Sequence, residues 1–95
     1  RGLITRRGMA GRFASVVTTL ALDPTPRPYT GLTEYCTLCG ACVRRCPGDA
    51  ISLEKGKSHD LCATYLKKVT SPDRAFYGCG QCQCNVPCEA ANPSL

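Results

Sequence analysis

No apolar run in the sequence approaches the roughly 18 residues that a membrane span requires. There is no Gly-rich phosphate loop and no nucleophile elbow, so neither nucleotide handling nor acyl transfer has its usual signature. Asp49, Glu54 and Asp60 lack the paired spacing that carboxylate acid–base chemistry uses. The one histidine, His59, is expected in a turn rather than as a ligand or proton shuttle. A secretory segment is also missing. Thr5-Arg6-Arg7 ahead of Ala14 to Leu22 has a trace of a twin-arginine export signal. Its apolar part is short and β-branched and lacks a small-residue cleavage site, so a buried strand and a cytoplasmic location are the expectation.

Charge of one sign is in modest excess, with 12 Lys and Arg against 7 Asp and Glu, a formal +5. The basic residues are dispersed, with pairs at Arg6-Arg7, Arg44-Arg45 and Lys67-Lys68. Dispersed charge of this kind reads as a solvated surface, and no nucleic-acid partner is expected.

Cysteine is what the sequence has in abundance, nine in 95 residues. A chain this short buries little apolar surface and commonly needs disulfide or metal staples. Disulfide frameworks favour even counts and a secreted context. Here the count is odd and the cysteines cluster at gaps of two or three residues, which suits metal ligation. Cys36-x₂-Cys39-x₂-Cys42-x₃-Cys46-Pro47 is the spacing of the bacterial [4Fe–4S] motif. Three thiolates on a curled loop can reach three irons of one cuboidal cluster, and backbone N–H groups of the curl can face the sulfurs. Gly40 can take the positive φ such a curl needs. Zinc sites instead use separated C-x₂₋₄-C pairs. Cys46, the fourth cysteine of the run, serves the other cluster under the same pattern. Two clusters would add about −4 and bring the +5 chain close to neutrality.

The distal run, Cys79-x₂-Cys82-x-Cys84-x₃-Cys88, is less regular, and Cys62 stands upstream of it. Both runs carry C-x₂-C and both end in a cysteine beside proline, Cys46-Pro47 and Pro87-Cys88. This pseudo-repeat assigns Cys88 as the fourth partner of Cys36, Cys39 and Cys42. The second cluster takes Cys46 and three of Cys62, Cys79, Cys82 and Cys84. Cys62 opens a helical stretch to Val69, where free N–H groups and the helix dipole favour a thiolate. The reading therefore favours Cys62 as ligand and Cys84 as the spare thiol. The alternative makes Cys62 a buried free thiol and Cys84 the eighth ligand.

Around these motifs the chain divides in two. Residues 1–33 hold a turn at Gly8 and Gly11, strand character from Phe13 to Leu22, and a linker with prolines at 24, 26 and 28 that should be extended. Residues 34–95 form the cluster-binding domain. It has a short strand Ala50 to Leu53, a turn at Lys55-Gly56-Lys57, a helix near Cys62 to Val69, and a loop through Pro72. Tyr35, Tyr65, Phe76 and Tyr77 lie beside cysteines and are expected to shield the clusters from water. The fold class is α+β, a small ferredoxin-like domain with short helices and little sheet.

Four segments resemble one family. His59-Asp60-Leu61-Cys62-Ala63-Thr64-Tyr65-Leu66 and Tyr77-Gly78-Cys79-Gly80-Gln81-Cys82-Gln83 are similar to segments of the iron–sulfur part of the epoxyqueuosine reductase and reductive dehalogenase group. Gly2 to Thr5 and Gly11 to Leu20 resemble the stretch that closes that group's preceding cobalamin-holding domain. The resemblance implies one cluster on Cys36, Cys39, Cys42 and Cys88 and another on Cys46, Cys62, Cys79 and Cys82. It also implies a catalytic domain upstream of Arg1, with cobalamin held only there. The chain itself then serves electron transfer, with that domain or a redox partner protein receiving the electrons. A free-standing ferredoxin-type carrier is the alternative. The last motif departs from the family form: Cys82 to Cys88 is two residues longer and places proline before the cysteine.

Overall fold

A computed structural model describes residues 3–70, 73 and 78–95. The elements are short. Helix α1 spans Ala41–Arg45, strands β1 (Ile51–Ser52) and β2 (Gly56–Lys57) form a hairpin, and helix α2 spans His59–Val69. A single 3₁₀ turn follows at Gln81–Gln83. The protein is a small α+β unit.

The hairpin pairs Ile51 with Lys57 and Ser52 with Gly56. The tight turn, residues 53–55, therefore falls two residues earlier than the Lys55-Gly56-Lys57 spacing suggests, and Gly56 (φ 73°) and Lys57 form the hairpin's second arm. Helix α2 begins at His59, three residues before Cys62, because Ser58 caps it: its Oγ accepts from the Leu61 N–H at 3.2 Å. His59 is thus the exposed first residue of a helix rather than part of a turn.

The two C-x₂-C segments share one backbone device. Gly40 (φ 74°, ψ 4°) precedes α1, and Gly80 (φ 68°, ψ 1°) precedes the 3₁₀ turn. Both sit in the left-handed region that glycine enters at little cost. Helix α1 packs against the 3₁₀ turn, and Arg45 Nε donates to the Gln81 carbonyl at 3.2 Å. The pseudo-repeat is therefore also a pair of facing structural units.

The core is small. Among the described residues the buried apolar ones are Met9, Cys42, Ala50, Ile51 and Val86. The N-terminal segment joins this core through one hairpin-like turn. Thr5 and Gly8 exchange backbone hydrogen bonds at 3.0 Å, Met9 N–H donates to the Cys88 carbonyl at 2.8 Å, and Ala10 N–H to the Glu89 carbonyl at 3.0 Å.

Beyond Gly11 the expectation of a buried strand is not met. Phe13, Val16 and Val17 are 77%, 85% and 101% exposed, and residues 12–22 carry no strand. β-Branched residues favour an extended backbone, but a strand also needs a neighbour to accept its hydrogen bonds. Among the described residues no neighbouring backbone accepts them. The radius of gyration, 15.7 Å, exceeds the about 12.4 Å of a compact domain of this length, in keeping with an arm that stands off the core. The loop through Pro72 and the ring placements of Phe76 and Tyr77 lie outside the described residues.

Gly8 sits at φ +87°, and a Cβ there would run into the Glu89 carbonyl and lie 2.7 Å from Ala90 N. Gly8→Ala is expected to destabilise the protein by roughly 1–3 kcal/mol. The check is the apparent melting midpoint, which should drop by about 4–8 °C per kcal/mol in a domain of this size.

Candidate metal centre

The first cysteine loop is a sequence of turns that feed one another. The Glu34 carboxylate accepts from Thr30 N–H at 2.9 Å and Gly31 N–H at 3.1 Å. These bonds, Thr30 first, hold its carboxyl below the usual carboxylate range. Cys36 N–H then donates to the Thr33 carbonyl at 2.9 Å, and Leu38 (φ 55°) and Gly40 reverse the chain twice. The effect is to curl Cys36, Cys39 and Cys42 around one small cavity.

Cys88 completes the wall of that cavity, together with Ile4, Val86 and Pro93. Burial pushes the Cys88 thiol above its ordinary pKa, and the nearby Cys42, Cys36 and Cys39 push it further. The longer distal motif still delivers Cys88 here because Asn85 takes a left-handed turn (φ 54°). The Glu89 carboxylate fixes that turn by accepting from Asn85 N–H at 2.6 Å. Met9 covers the thiol from the other side, with Cys88 Sγ 3.2 Å from Met9 Sδ. Sequence reasoning did not single out Met9. The two residues are 79 positions apart, so no local pattern could pair them.

A second, wider cleft of about 550 Å³ gathers Cys46, Cys62, Cys79, Cys82 and Cys84. Burial raises the Cys82 thiol pKa, Lys57 opposes the shift, and Cys46 and Cys62 add to it. Ala50 N–H donates to Cys46 Sγ at 3.3 Å, the kind of N–H···S contact that stabilises a thiolate. Cys62 occupies the first turn of α2. Cys84 is exposed and its thiol turns back to the Gly80 carbonyl at 3.3 Å. Tyr65 lines this cleft and Tyr35 the hollow beside Cys36 and Cys88. Tyr35 also stacks edge-on against Tyr29 at 5.2 Å. No disulfide joins any of the nine cysteines.

The donor set fits iron–sulfur clusters better than single ions. Zinc draws four donors to within about 2.0–2.3 Å of one point. Among the described residues no three His, Cys, Asp or Glu side chains close on a point in that way. A cuboidal cluster takes each thiolate on a different iron and suits donors set wider apart. Burial at Cys82 and Cys88 disfavours bare thiolates, and a bound metal would offset that cost. His59 lies on neither wall.

These features define a small iron–sulfur domain of the electron-transfer kind, and residues 32–52 match the 4Fe-4S binding domain family. More particularly, the chain is 44% identical over 54 residues to the tetrachloroethene reductive dehalogenase of Desulfitobacterium hafniense, and equally so to that of Dehalobacter restrictus. Each alignment covers 56% of this chain and 10% of the relative, so the chain spans about a tenth of the curated relatives it matches. No solved structure matches it. Among the described residues no helix is long and apolar enough to cross a membrane.

Substitution distinguishes the roles of Cys62 and Cys84. Cys84→Ala is expected to leave the iron content and the visible absorbance of the holoprotein unchanged, while Cys62→Ala loses about half of both. Iron analysis of the two variants after identical anaerobic reconstitution is the check. Loss of iron in Cys84→Ala alone would reverse the assignment.

Proposed function

We propose that this chain is the electron-relay module of a larger, cobalamin-dependent reductase of the epoxyqueuosine reductase and reductive dehalogenase type. In this reading it binds two [4Fe–4S] clusters, one on Cys36, Cys39, Cys42 and Cys88 and one on Cys46, Cys62, Cys79 and Cys82. The observation that carries it is the division of the thiols into two walls, each drawing cysteines from both ends of the chain. The partial likeness to tetrachloroethene reductive dehalogenases supports a parent enzyme in which such a module serves a separate catalytic domain. The corrinoid belongs to that domain in a cytoplasmic parent protein, because these 95 residues offer no fold to hold it.

When bound, such clusters supply reversible one-electron transfer at potentials within roughly −700 to +450 mV. The chain's own residues do the rest. The loop from Cys36 to Cys42 fixes three thiolates in orientation, and Cys88 and Met9 close the far side against water. Ala50 N–H steadies Cys46, and the start of α2 steadies Cys62. No nucleophile, paired carboxylates or phosphate loop accompanies the thiols, so the reading assigns the organic chemistry to the partner domain.

The expected result after anaerobic reconstitution is about eight irons and eight labile sulfides per chain, reduced reversibly below roughly −300 mV. The isolated, reduced chain should transform no organic substrate, and turnover should appear when the parent's catalytic domain and cobalamin are present. Four irons per chain would remove the two-cluster reading, and turnover by the isolated chain would remove the relay.

A further inference from the structure

The second cysteine wall is assembled from three separate stretches of chain, and two of them are tied by a ladder of hydrogen bonds. Ala50 N–H donates to Cys46 Sγ at 3.3 Å, Ser58 N–H to the Ala50 carbonyl at 2.7 Å, and Cys62 N–H to the Ser58 carbonyl at 3.2 Å. Cys46 and Cys62 are therefore joined step by step through the hairpin. The third stretch, which carries Cys79 and Cys82, is bonded to itself. Gln83 N–H donates to the Gly80 carbonyl at 3.0 Å, and Cys84 N–H to the Gln81 carbonyl at 3.3 Å. Among the described residues a single hydrogen bond ties residues 78–84 to the rest of the chain, from Arg45 Nε to the Gln81 carbonyl at 3.2 Å. Arg45 immediately precedes Cys46, and Gln81 lies between Cys79 and Cys82, so this bond spans two sides of the same wall. Helix α1 packs against the 3₁₀ turn at the same seam. The neighbouring Arg44 serves the first loop instead, with Nη1 donating to the Cys39 carbonyl at 3.3 Å.

We propose that Arg45 is the clasp of the second site: its Nε–H holds the Cys79–Cys82 loop in register with Cys46, so that thiolates from three stretches of chain can close on one [4Fe–4S] cluster. This rests on the two-cluster reading above. Arg45 touches no iron in this account and is a positioning residue. Ligands drawn from distant parts of a chain lose freedom when they gather, and a contact that gathers them beforehand lowers that cost to metal binding. The acceptor is a backbone carbonyl, so what the loop needs from Arg45 is an N–H at that point, and the bond is separable from the charge. Helix α1 also carries Cys42 of the first site. The clasp therefore fixes the second site relative to the first as well as closing it.

The test is the rate of iron release to a chelator from the anaerobically reconstituted holoprotein, with variants that separate the bond from the charge. Arg45→Met keeps an unbranched side chain and puts a methyl group where Nε stands. Arg45→Gln puts an uncharged amide N–H₂ at that same position. Arg45→Met is expected to lose half of its iron about tenfold faster than wild type, the scale of one hydrogen bond from a charged donor, and the other half at the wild-type rate. Arg45→Gln should recover most of the difference. In a Cys62→Ala background, which the assignment leaves with the first cluster alone, adding Arg45→Met should change nothing. An Arg45→Met chain that takes up only half the iron, beside a fully loaded Arg45→Gln, also supports the clasp. Release from Arg45→Met that is all at the wild-type rate, or all faster, overturns it. So does an Arg45→Gln as labile as Arg45→Met, an effect that persists beside Cys62→Ala, or an Arg45→Met chain that takes up no iron, since both sites are then involved. Near four irons per wild-type chain would instead bring down the two-cluster reading, and the clasp with it.

Discussion

The return of Cys88 to the first cysteine loop is the contact on which the rest of the structure depends. It joins the last stretch of chain to residues 36–42 and brings the N-terminal turn with it, because Met9 N–H bonds the Cys88 carbonyl and the Met9 side chain lies on its thiol. Gly8 is held to glycine by the same closure, since the Glu89 backbone passes too near for a Cβ. Without this contact the short elements would have little to pack on. Among the described residues the buried apolar set is five residues, and none is a large side chain fully removed from water. A domain with so small a core leans on its ligands for stability, as small metal-binding domains do.

The two halves solve the same geometric problem with the same device. Gly40 and Gly80 both take the left-handed conformation at the second position of a C-x₂-C segment, and each starts a short helical turn. The turns then face one another, with the Arg45 side chain bridging to Gln81. Such a pair places thiols on opposite sides of a shared seam. It explains why each cavity wall mixes cysteines from both runs. Between Cys82 and Cys88 the chain turns at Asn85, held by the Glu89 carboxylate.

The exposed arm from Arg12 to Leu22 is the part of the chain that the domain does not use. Its apolar side chains meet solvent, and its extended backbone lacks a neighbouring strand. The expectation of a buried strand came from β-branched composition. Composition reports a preference for extended backbone, whereas burial is a property of whatever lies alongside. Helix α2 shows the opposite case. Its existence was legible in Cys62 to Val69, and its true start follows from a serine cap that is also visible in the sequence, at Ser58.

The sequence by itself determined the chemistry: nine cysteines, one run at [4Fe–4S] spacing, and a second run that echoes it. Ligand spacing is a local property, fixed by how far a few residues can reach, so it survives without a fold. The same is true of the short strand near Ile51 and of the need for glycine at position 40. Tertiary structure alone decided which thiols share a wall and that Met9 covers Cys88. Those facts depend on residues far apart in the chain and on the direction in which side chains point. A periodic pattern carries no information about either.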